Sequence, residues 1–244
     1  MLVASKAIVL SKVPYNDRYA VANLYLREQG IVAYRLPLQG GKKSLATRLR
    51  RLIYPLSELD IVAEHKPLRS IQTLIEVVPN PIRLDISLNP TKRELSFFLA
   101  ETLHKMLRNA KGDSAIYDYI SRSLDFLEQA SSKIDNFPIA FFLHLLSPCG
   151  VSPDWEEIML NYQQGDYFNL VDVRFQNSLP QGEFLTKKEA QFLKTFVRIS
   201  YNNMHLFHFS EEERRRSIHL LLSCYRIHFG YFGEVHSSEV LESL

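Results

Sequence analysis

The chain has 244 residues, of which 46% are hydrophobic and 23% charged, so it can form one large domain or two smaller ones with a substantial core. The longest apolar run, residues 137–146, is shorter than the ~18 residues that a transmembrane helix needs, and the N-terminus lacks a signal-peptide pattern. Two cysteines, Cys149 and Cys224, exclude a disulfide scaffold and a four-cysteine zinc site. We expect a cytoplasmic, nucleoid-associated protein.

Positive charge is concentrated at the front of the chain. Residues 1–80 carry 12 Lys/Arg against 6 Asp/Glu, a net charge of +6, whereas residues 81–244 carry 17 against 21, a net charge of −4. This asymmetry indicates a module that binds a polyanion, joined to a module of another kind. A chance distribution of charges is the alternative.

The first 78 residues show the short, β-branched runs that are typical of strands. Gly30 predicts a turn that joins two of these runs into a hairpin, and Leu45–Leu52 predicts a short helical turn. The predicted strands are residues 7–13, 19–26, 31–38, 56–64 and 70–78. Five short strands with a basic surface favour an OB-fold, although an SH3-like barrel would produce a similar pattern.

Helical periodicity begins after a cluster of prolines at residues 79–90. Asn89 with Pro90 and Asp113 predict two helix starts, and the run 137–146 predicts a buried central helix. Capping boxes at Thr186/Glu189 and Ser210/Glu213 predict two later helices. The predicted fold class is therefore α+β, with an OB-fold barrel at residues 1–80, an all-helical domain at 81–244, and an irregular β-like insertion at about 147–185.

The chain has no motif for a nucleotide, a nucleophile or a catalytic metal. Gly40-Gly41-Lys42-Lys43-Ser44 lacks the spaced first glycine of a phosphate-binding loop, and His205 and His208 lack the cysteine or carboxylate partners of a zinc site. The Glu211–Arg216 run is better explained as charge pairing in the first turns of a helix. We predict no catalytic residue, no metal and no cofactor.

Residues 34–51 form the strongest chemical feature, because they hold six cations and no acid. A phosphate backbone requires such cations, and the glycine pair allows a close approach of the backbone. Tyr25, Tyr34 and Tyr54 are candidates for stacking on unpaired bases. A solvated basic loop with structural tyrosines is the alternative. The predicted DNA-binding residues are Arg35, Lys42, Lys43, Arg48, Arg50 and Arg51.

The succession of segments along the whole chain resembles the bacterial RecO family of recombination mediators. The opening KAIVLSKVPYNDRYAVANLYLREQGIVAYR contains the family's turn at Tyr15, Asp17 and Arg18, and GGKKSLATRL resembles the family's glycine-plus-basic loop. The segment from Tyr54 to Ile61 resembles the next strand. The ending SCYRIHFGYFGEVHSSEVLESL resembles the closing helix and tail of the family.

This resemblance implies a DNA-binding repair and recombination protein without enzymatic turnover. Such proteins bind single- and double-stranded DNA, anneal complementary strands and, with RecR, help load the RecA recombinase onto DNA coated by single-stranded DNA-binding protein. They also bind the acidic, Phe-terminated tail of that coating protein through the helical domain. Many members carry a four-cysteine zinc element, whereas residues 147–182 here keep only Cys149. The resemblance thus predicts an insertion that has lost its zinc and is held by the packing of Trp155, Tyr162, Tyr167, Phe168 and Phe175.

An acidic, Phe-terminated tail requires an apolar slot with a rim of cations. On the predicted helices, Arg122 is the first candidate for this rim, followed by Lys105 and Arg108, with Arg214–Arg216 as a further possibility. Two other classes of protein remain open. A metal-dependent enzyme acting on nucleic acids would use the acids of the insertion, and a pure interaction scaffold would bind no DNA. The acids in question are Asp154, Glu156, Glu157, Asp166 and Asp172.

Overall fold

The N-terminal region of the computed structural model is a closed five-stranded barrel. The structure describes residues 1–41, 44–131, 133–151, 165–190, 193, 197–230, 232–235 and 237. The barrel strands are β1 (Leu2–Pro14), β2 (Tyr19–Leu26), β3 (Gly30–Pro37), β4 (Glu58–Glu64) and β5 (Ile71–Pro79), and helix α1 (Leu45–Leu52) lies between β3 and β4. The strand order is β1-β2-β3-β5-β4, with β1 and β4 closing the barrel. This arrangement is OB-like and confirms the predicted fold class.

Strand β1 closes the barrel because it pairs with two neighbours in succession. Its first half, from Leu2 to Ile8, runs antiparallel to β4, and its second half, from Ala7 to Pro14, runs antiparallel to β2. A register shift between Val9 and Ser11 accompanies the change of partner. The predicted strand 7–13 is therefore too short, since the first half of β1 is stabilised by residues some fifty positions later in the chain.

The barrel core follows from the alternation of small and branched side chains along the strands. On β2, Ala20, Ala22, Leu24 and Leu26 face the interior. Helix α1 adds Leu49, and Ile53 at its C-terminal end joins the same core. The remaining core residues are Ala7, Val9, Tyr34, Leu36, Leu59, Ile61, Ala63, Leu74 and Val77.

Three helices follow the barrel: α2 (Leu84–Leu88), α3 (Pro90–Met106) and α4 (Ser114–Gln129). Asn89 caps α3 by accepting a hydrogen bond from the backbone N–H of Lys92, with Pro90 in the first turn, as predicted. The Asp113 carboxylate accepts a bond from the N–H of Ala115 at the start of α4. The chain divides into two compact units, of which the first contains Met1–Gln129 and Gly233–Val240.

The second unit contains Ala130–Phe232 and Leu241–Leu244. Its described helices are α5 (Phe137–Leu145), α6 (Lys187–Ala190) and α7 (Glu211–Phe229), with a 3₁₀ turn at Met204–Leu206. Helix α5 is buried almost all round, as its apolar composition predicts. The Ser210/Glu213 capping box is formed at the start of α7. Among the helices in the described part of the chain, none has the length and apolar character that crossing a bilayer requires.

The insertion in the second unit contains a small three-stranded sheet with the order β7-β6-β8. Its strands are β6 (Tyr167–Asn169), β7 (Arg174–Gln176) and β8 (Phe184–Thr186). The rings of Phe168 and Phe175 meet edge to face at 4.9 Å, and those of Tyr167 and Phe184 at 5.4 Å. Trp155 and Tyr162, which were also predicted to pack in the insertion, lie outside the described residues.

Candidate nucleic-acid interface

Helix α1 presents its arginines outward because its apolar residues are held by the barrel. Ala46 and Leu49 are buried, whereas Arg48, Arg50 and Arg51 are exposed. No acid lies in the first turn of α1, and two of the arginines lie in its last turn, where the helix dipole favours cations. The fold therefore brings three of the six predicted DNA-binding residues to one short helix.

The start of α1 is held by a hydrogen-bonded cap. The Ser44 hydroxyl accepts from the N–H of Thr47, and the Thr47 hydroxyl donates to the carbonyl of Gly41 at 3.1 Å. A Cβ at Gly40 would collide with the Ser44 hydroxyl, so the first glycine is required for this cap, whereas a Cβ at Gly41 would meet open space. Lys42 and Lys43, which were also predicted to bind DNA, lie outside the described residues.

Arg35 lies on β3, exposed on the outer face of the barrel. Its guanidinium carbon is 4.8 Å from the centroid of the Tyr19 ring on the neighbouring strand β2. This cation–π contact orients Arg35 while leaving its outward N–H groups available to an anion. The face of β2 and β3 is the surface on which OB-folds bind oligonucleotides.

Two further cations near this surface were missed by sequence reasoning. Lys12 on β1 donates a hydrogen bond to the carbonyl of Ile53, the residue that ends α1, and Arg18 is exposed in the loop between β1 and β2. The Asn16 carboxamide oxygen accepts from the N–H groups of Arg18 and Tyr19, which fixes the shape of this loop. Lys12 and Arg18 are remote from the 34–51 segment in sequence, and only the strand pairing brings them near it.

The prediction that Tyr25 and Tyr34 stack on bases is wrong. Both side chains are fully buried. The Tyr34 hydroxyl is 2.8 Å from Nε2 of His65, and the Tyr25 hydroxyl exchanges hydrogen bonds with the backbone of Asp113. Tyr54 is partly buried, and burial raises its pKa. The aromatic side chain beside Arg35 is instead Tyr19.

The opposite side of the barrel carries an acidic groove. It lies against β1, β4, β5 and the start of α4, has a volume of about 700 Å³, and is lined by five carboxylates and two cations. The charged residues of the lining are Lys6, Arg27, Glu28, Glu58, Asp60, Glu76 and Asp118. This excess of negative charge repels a phosphate backbone. The side formed by β2, β3 and α1 is therefore the candidate nucleic-acid surface of the barrel.

The floor of the acidic groove is a buried ionic network. Glu58 and Arg83 form an ion pair at 2.9 Å, and their side chains are only 2% and 6% exposed. The Glu58 carboxylate also accepts bonds from the hydroxyls of Tyr117 and Ser121, and this environment raises the pKa of Tyr117. Arg83 donates further bonds to Asp125. All the charges in this network have partners within the first unit, so its role is structural: it connects β4 to helix α4.

The three candidates for binding an acidic tail lie in different surroundings. Arg122 on α4 is exposed, and its guanidinium bonds to the carbonyl of Asp118. Lys105 on α3 pairs with Glu101 at 2.7 Å, and Arg108 is exposed just beyond the end of the same helix. Burial, together with the positive charges of Arg108 and Lys105, lowers the pKa of His104, which favours its neutral form.

The remaining polar clusters do not converge. His205 and His208 are exposed, and the described residues contain no group of three or more His, Cys, Asp or Glu that could hold a metal ion. Asp172 accepts from Asn169 and Arg174, and Asp166 lies 3.9 Å from the Lys187 ammonium. Asp154, Glu156 and Glu157 lie outside the described residues.

The fold and its arginines define an OB-like barrel protein with a helical C-terminal region. A family model described as "Recombination protein O C terminal" matches residues 95–233. A DNA repair protein RecO of Porphyromonas gingivalis is 34% identical over 250 residues, covering 100% of this chain and 99% of the relative. Those of Azobacteroides pseudotrichonymphae and Bacteroides fragilis are 30% and 27% identical over 246 residues, with the same coverage. The chain belongs to the RecO family of DNA repair proteins.

Proposed function

We propose that this protein binds single- and double-stranded DNA, anneals complementary single strands and, with RecR, helps load RecA onto DNA coated by single-stranded DNA-binding protein. The observation that carries the proposal is the acid-free row of exposed arginines on α1, together with the exposed Arg35 on β3 of an OB-like barrel. Family membership supports the same role.

The proposed activity needs no general acid, base or nucleophile. Annealing requires that the phosphate charges of two strands be neutralised while their bases remain free to pair. Arg48, Arg50 and Arg51 supply such contacts without reading bases, so binding is expected to tolerate any sequence. We propose that the protein acts by binding rather than by turnover, and that the purified protein holds no stoichiometric zinc.

The phosphate contacts are tested with a double variant, Arg48→Ala with Arg51→Ala. Each lost contact is expected to reduce the slope of log K against log salt by about 0.7 on single-stranded DNA and about 0.9 on duplex. Annealing of complementary oligonucleotides should slow in parallel. Arg198→Ala is the control, because Arg198 is an exposed arginine of the second unit. Unchanged affinity and slope in the double variant would exclude α1 from the interface.

The acid-rich insertion offers the alternative of a metal-dependent nuclease. Asp166 and Asp172 are engaged with neighbouring side chains, which does not favour this alternative. DNA cleavage that requires Mg²⁺ or Mn²⁺ and is lost in Asp172→Asn would support it. The absence of any salt-dependent DNA binding would instead support a pure interaction scaffold.

For the protein partner, we propose that the C-terminal end of α3 binds the acidic, Phe-terminated tail of the single-stranded DNA-binding protein. Lys105 and Arg108 place positive charge at this end, and the half-exposed ring of Phe97 lies on the same helix face. Two cations, Lys105 and Arg108, lie at the end of α3 with one nearby acid, Glu101, whereas the single cation Arg122 lies within one helical turn of Asp118, so Arg122 is the second candidate.

A further inference from the structure

Two residues near the C-terminus, Glu234 and Ser237, bond to helix α3. The backbone N–H and the hydroxyl of Ser237 both donate to one carboxylate oxygen of Glu101, at 2.9 and 2.5 Å. The Lys105 ammonium donates to the carbonyl oxygen of Glu234, and Val235 between these anchors is 5% exposed. We call residues 233–237 the strap.

The anchors of the strap act mainly on its main chain. Glu101 receives a backbone N–H, and Lys105 contacts a backbone carbonyl, while the two side chains also pair with each other. Recognition of this kind holds any extended peptide whose donors and acceptors fall at the same spacing. A different segment can therefore replace the strap without loss of these bonds.

The C-terminal segment that begins with the strap has the sequence of an acidic, apolar peptide. Residues 233–244, GEVHSSEVLESL, contain three glutamates, two valines and two leucines, and no Lys or Arg. Such a peptide is complementary in charge to the two cations at the end of α3, Lys105 and Arg108. The tail partner proposed above combines the same two features, carboxylates and an apolar end.

We infer that the strap is an intramolecular competitor that covers the acidic-peptide site on α3 and is displaced when a partner tail binds. This inference rests on the proposed function for its partner. Because the strap and α3 belong to the same chain, the effective concentration of the strap at the site is in the millimolar range. A strap that is bound nine-tenths of the time weakens the apparent affinity for a partner about tenfold.

The inference is tested with Ser237→Pro in the full chain. Proline removes both donors to Glu101 without changing any charge on α3, so the strap should detach while the site remains intact. A fluorescein-labelled peptide of four aspartates followed by Leu and Phe should bind this variant five- to tenfold more tightly than the wild type. Ser223→Ala is the control, because its hydroxyl bonds only within its own helix.

Two charge reversals locate the site. Lys105→Glu introduced into the Ser237→Pro chain should weaken peptide binding at least tenfold, whereas Arg122→Glu in the same background should leave it unchanged. A labelled peptide of residues 233–244, added in trans, should bind the Ser237→Pro chain and should compete with the Asp-rich peptide. Cleavage after Glu234 by a glutamate-specific protease should be faster in the Ser237→Pro chain than in the wild type.

The outcomes separate the two proposals. If the Asp-rich peptide binds wild type and Ser237→Pro equally, within twofold, the strap does not compete and the inference is wrong, while the tail-binding proposal stands. If the Asp-rich peptide binds neither chain, the tail-binding proposal is wrong. In that case, Lys105-dependent binding of the 233–244 peptide would support a strap site on α3, and its absence would overturn the strap as well.

Discussion

At the scale of single residues, the most constrained group in the barrel is the Glu58 carboxylate. It is buried, and three donors compensate for its lost hydration: Arg83, Tyr117 and Ser121. Sequence reasoning missed this network, because Arg83 lies 25 positions from Glu58 in the sequence. The two hydroxyl donors, Tyr117 and Ser121, lie 59 and 63 positions from Glu58. Nothing in a local pattern indicates which acid faces which base.

Removal of the carboxylate should be strongly destabilising. Glu58→Ala leaves the Arg83 guanidinium buried against its remaining partners, and loss of one member of a buried ion pair costs about 3–5 kcal/mol. Urea unfolding followed by circular dichroism measures the change. Glu76→Ala, an exposed acid of the same groove, should change the free energy of unfolding by no more than about 0.5 kcal/mol. Equal effects of the two substitutions would refute the role of the network.

The pair between Arg27 and Asp118 predicts a dependence on pH. Two hydrogen bonds from Arg27, at 3.0 and 2.8 Å, hold the pKa of Asp118 below its ordinary value. A depressed pKa stabilises the folded state fully above the unfolded value of about 3.9, and this stabilisation is lost as the pH falls through the lower folded-state pKa. Arg27→Met should therefore reduce stability at pH 6, and its effect should diminish as the pH falls below about 3.9. Lys66→Met, which breaks the exposed pair with Glu64, should have a smaller effect at pH 6.

At the scale of elements, β-branched runs identified all five barrel strands, the segment Leu45–Leu52 was predicted as the helical turn that forms α1, and capping residues identified α3 and α7. Residues 19–26 match β2 at both ends, because a tight turn and a loop bound that strand. The direction of individual side chains was less predictable. Tyr25 and Tyr34 belong to the predicted strands, but the strand pairing turns them toward buried partners. Their nearness in sequence to the basic loop does not show whether their side chains are exposed.

The contact between the β2–β3 turn and the α3–α4 loop depends on two glycines. A Cβ at Gly112 would collide with the backbone of Glu28 and Gln29, and one at Gly30 would lie 2.8 Å from the carbonyl oxygen of Ala110. Gly112→Ala should therefore separate these loops and lower the urea midpoint, because backbone atoms cannot move aside cheaply.

Gly41→Ala is the matched control for Gly112→Ala. A Cβ there meets nothing within 4 Å, so the substitution should leave stability unchanged or raise it by about 0.4–1 kcal/mol. The gain would arise because alanine reduces the conformational entropy of the unfolded chain. If both alanines have the same small effect, the close approach of the two loops does not limit stability.

At the scale of the whole molecule, the barrel is electrostatically polarised. Exposed arginines lie on α1 and β3, whereas acids line the groove against β1, β4 and β5. The net charge of +6 on residues 1–80 is therefore an average over a basic surface and an acidic groove. A nearly neutral chain can approach DNA with one face and repel it with another, which orients the protein on a phosphate backbone without base contacts.

The extent of the first compact unit predicts which fragments fold. The barrel strands end at Pro79, but the unit continues to Gln129. Within it, Tyr25 bonds to Asp113, Arg27 to Asp118, and Glu58 to partners beyond residue 80. A fragment of residues 1–80 loses all of these contacts and exposes the buried Glu58 carboxylate.

A fragment of residues 1–131 should therefore unfold cooperatively in urea, whereas a fragment of residues 1–80 should show no cooperative transition. The loss of these contacts is the cause of this failure, because the barrel surface that packs against residues 81–129 becomes exposed to water. Circular dichroism during urea unfolding, and the chemical-shift dispersion of amide protons in NMR spectra, measure the folding of both fragments. A 1–80 fragment that unfolds cooperatively with the same midpoint as 1–131 would show that the barrel is autonomous and that the joint to the helices contributes nothing to its stability.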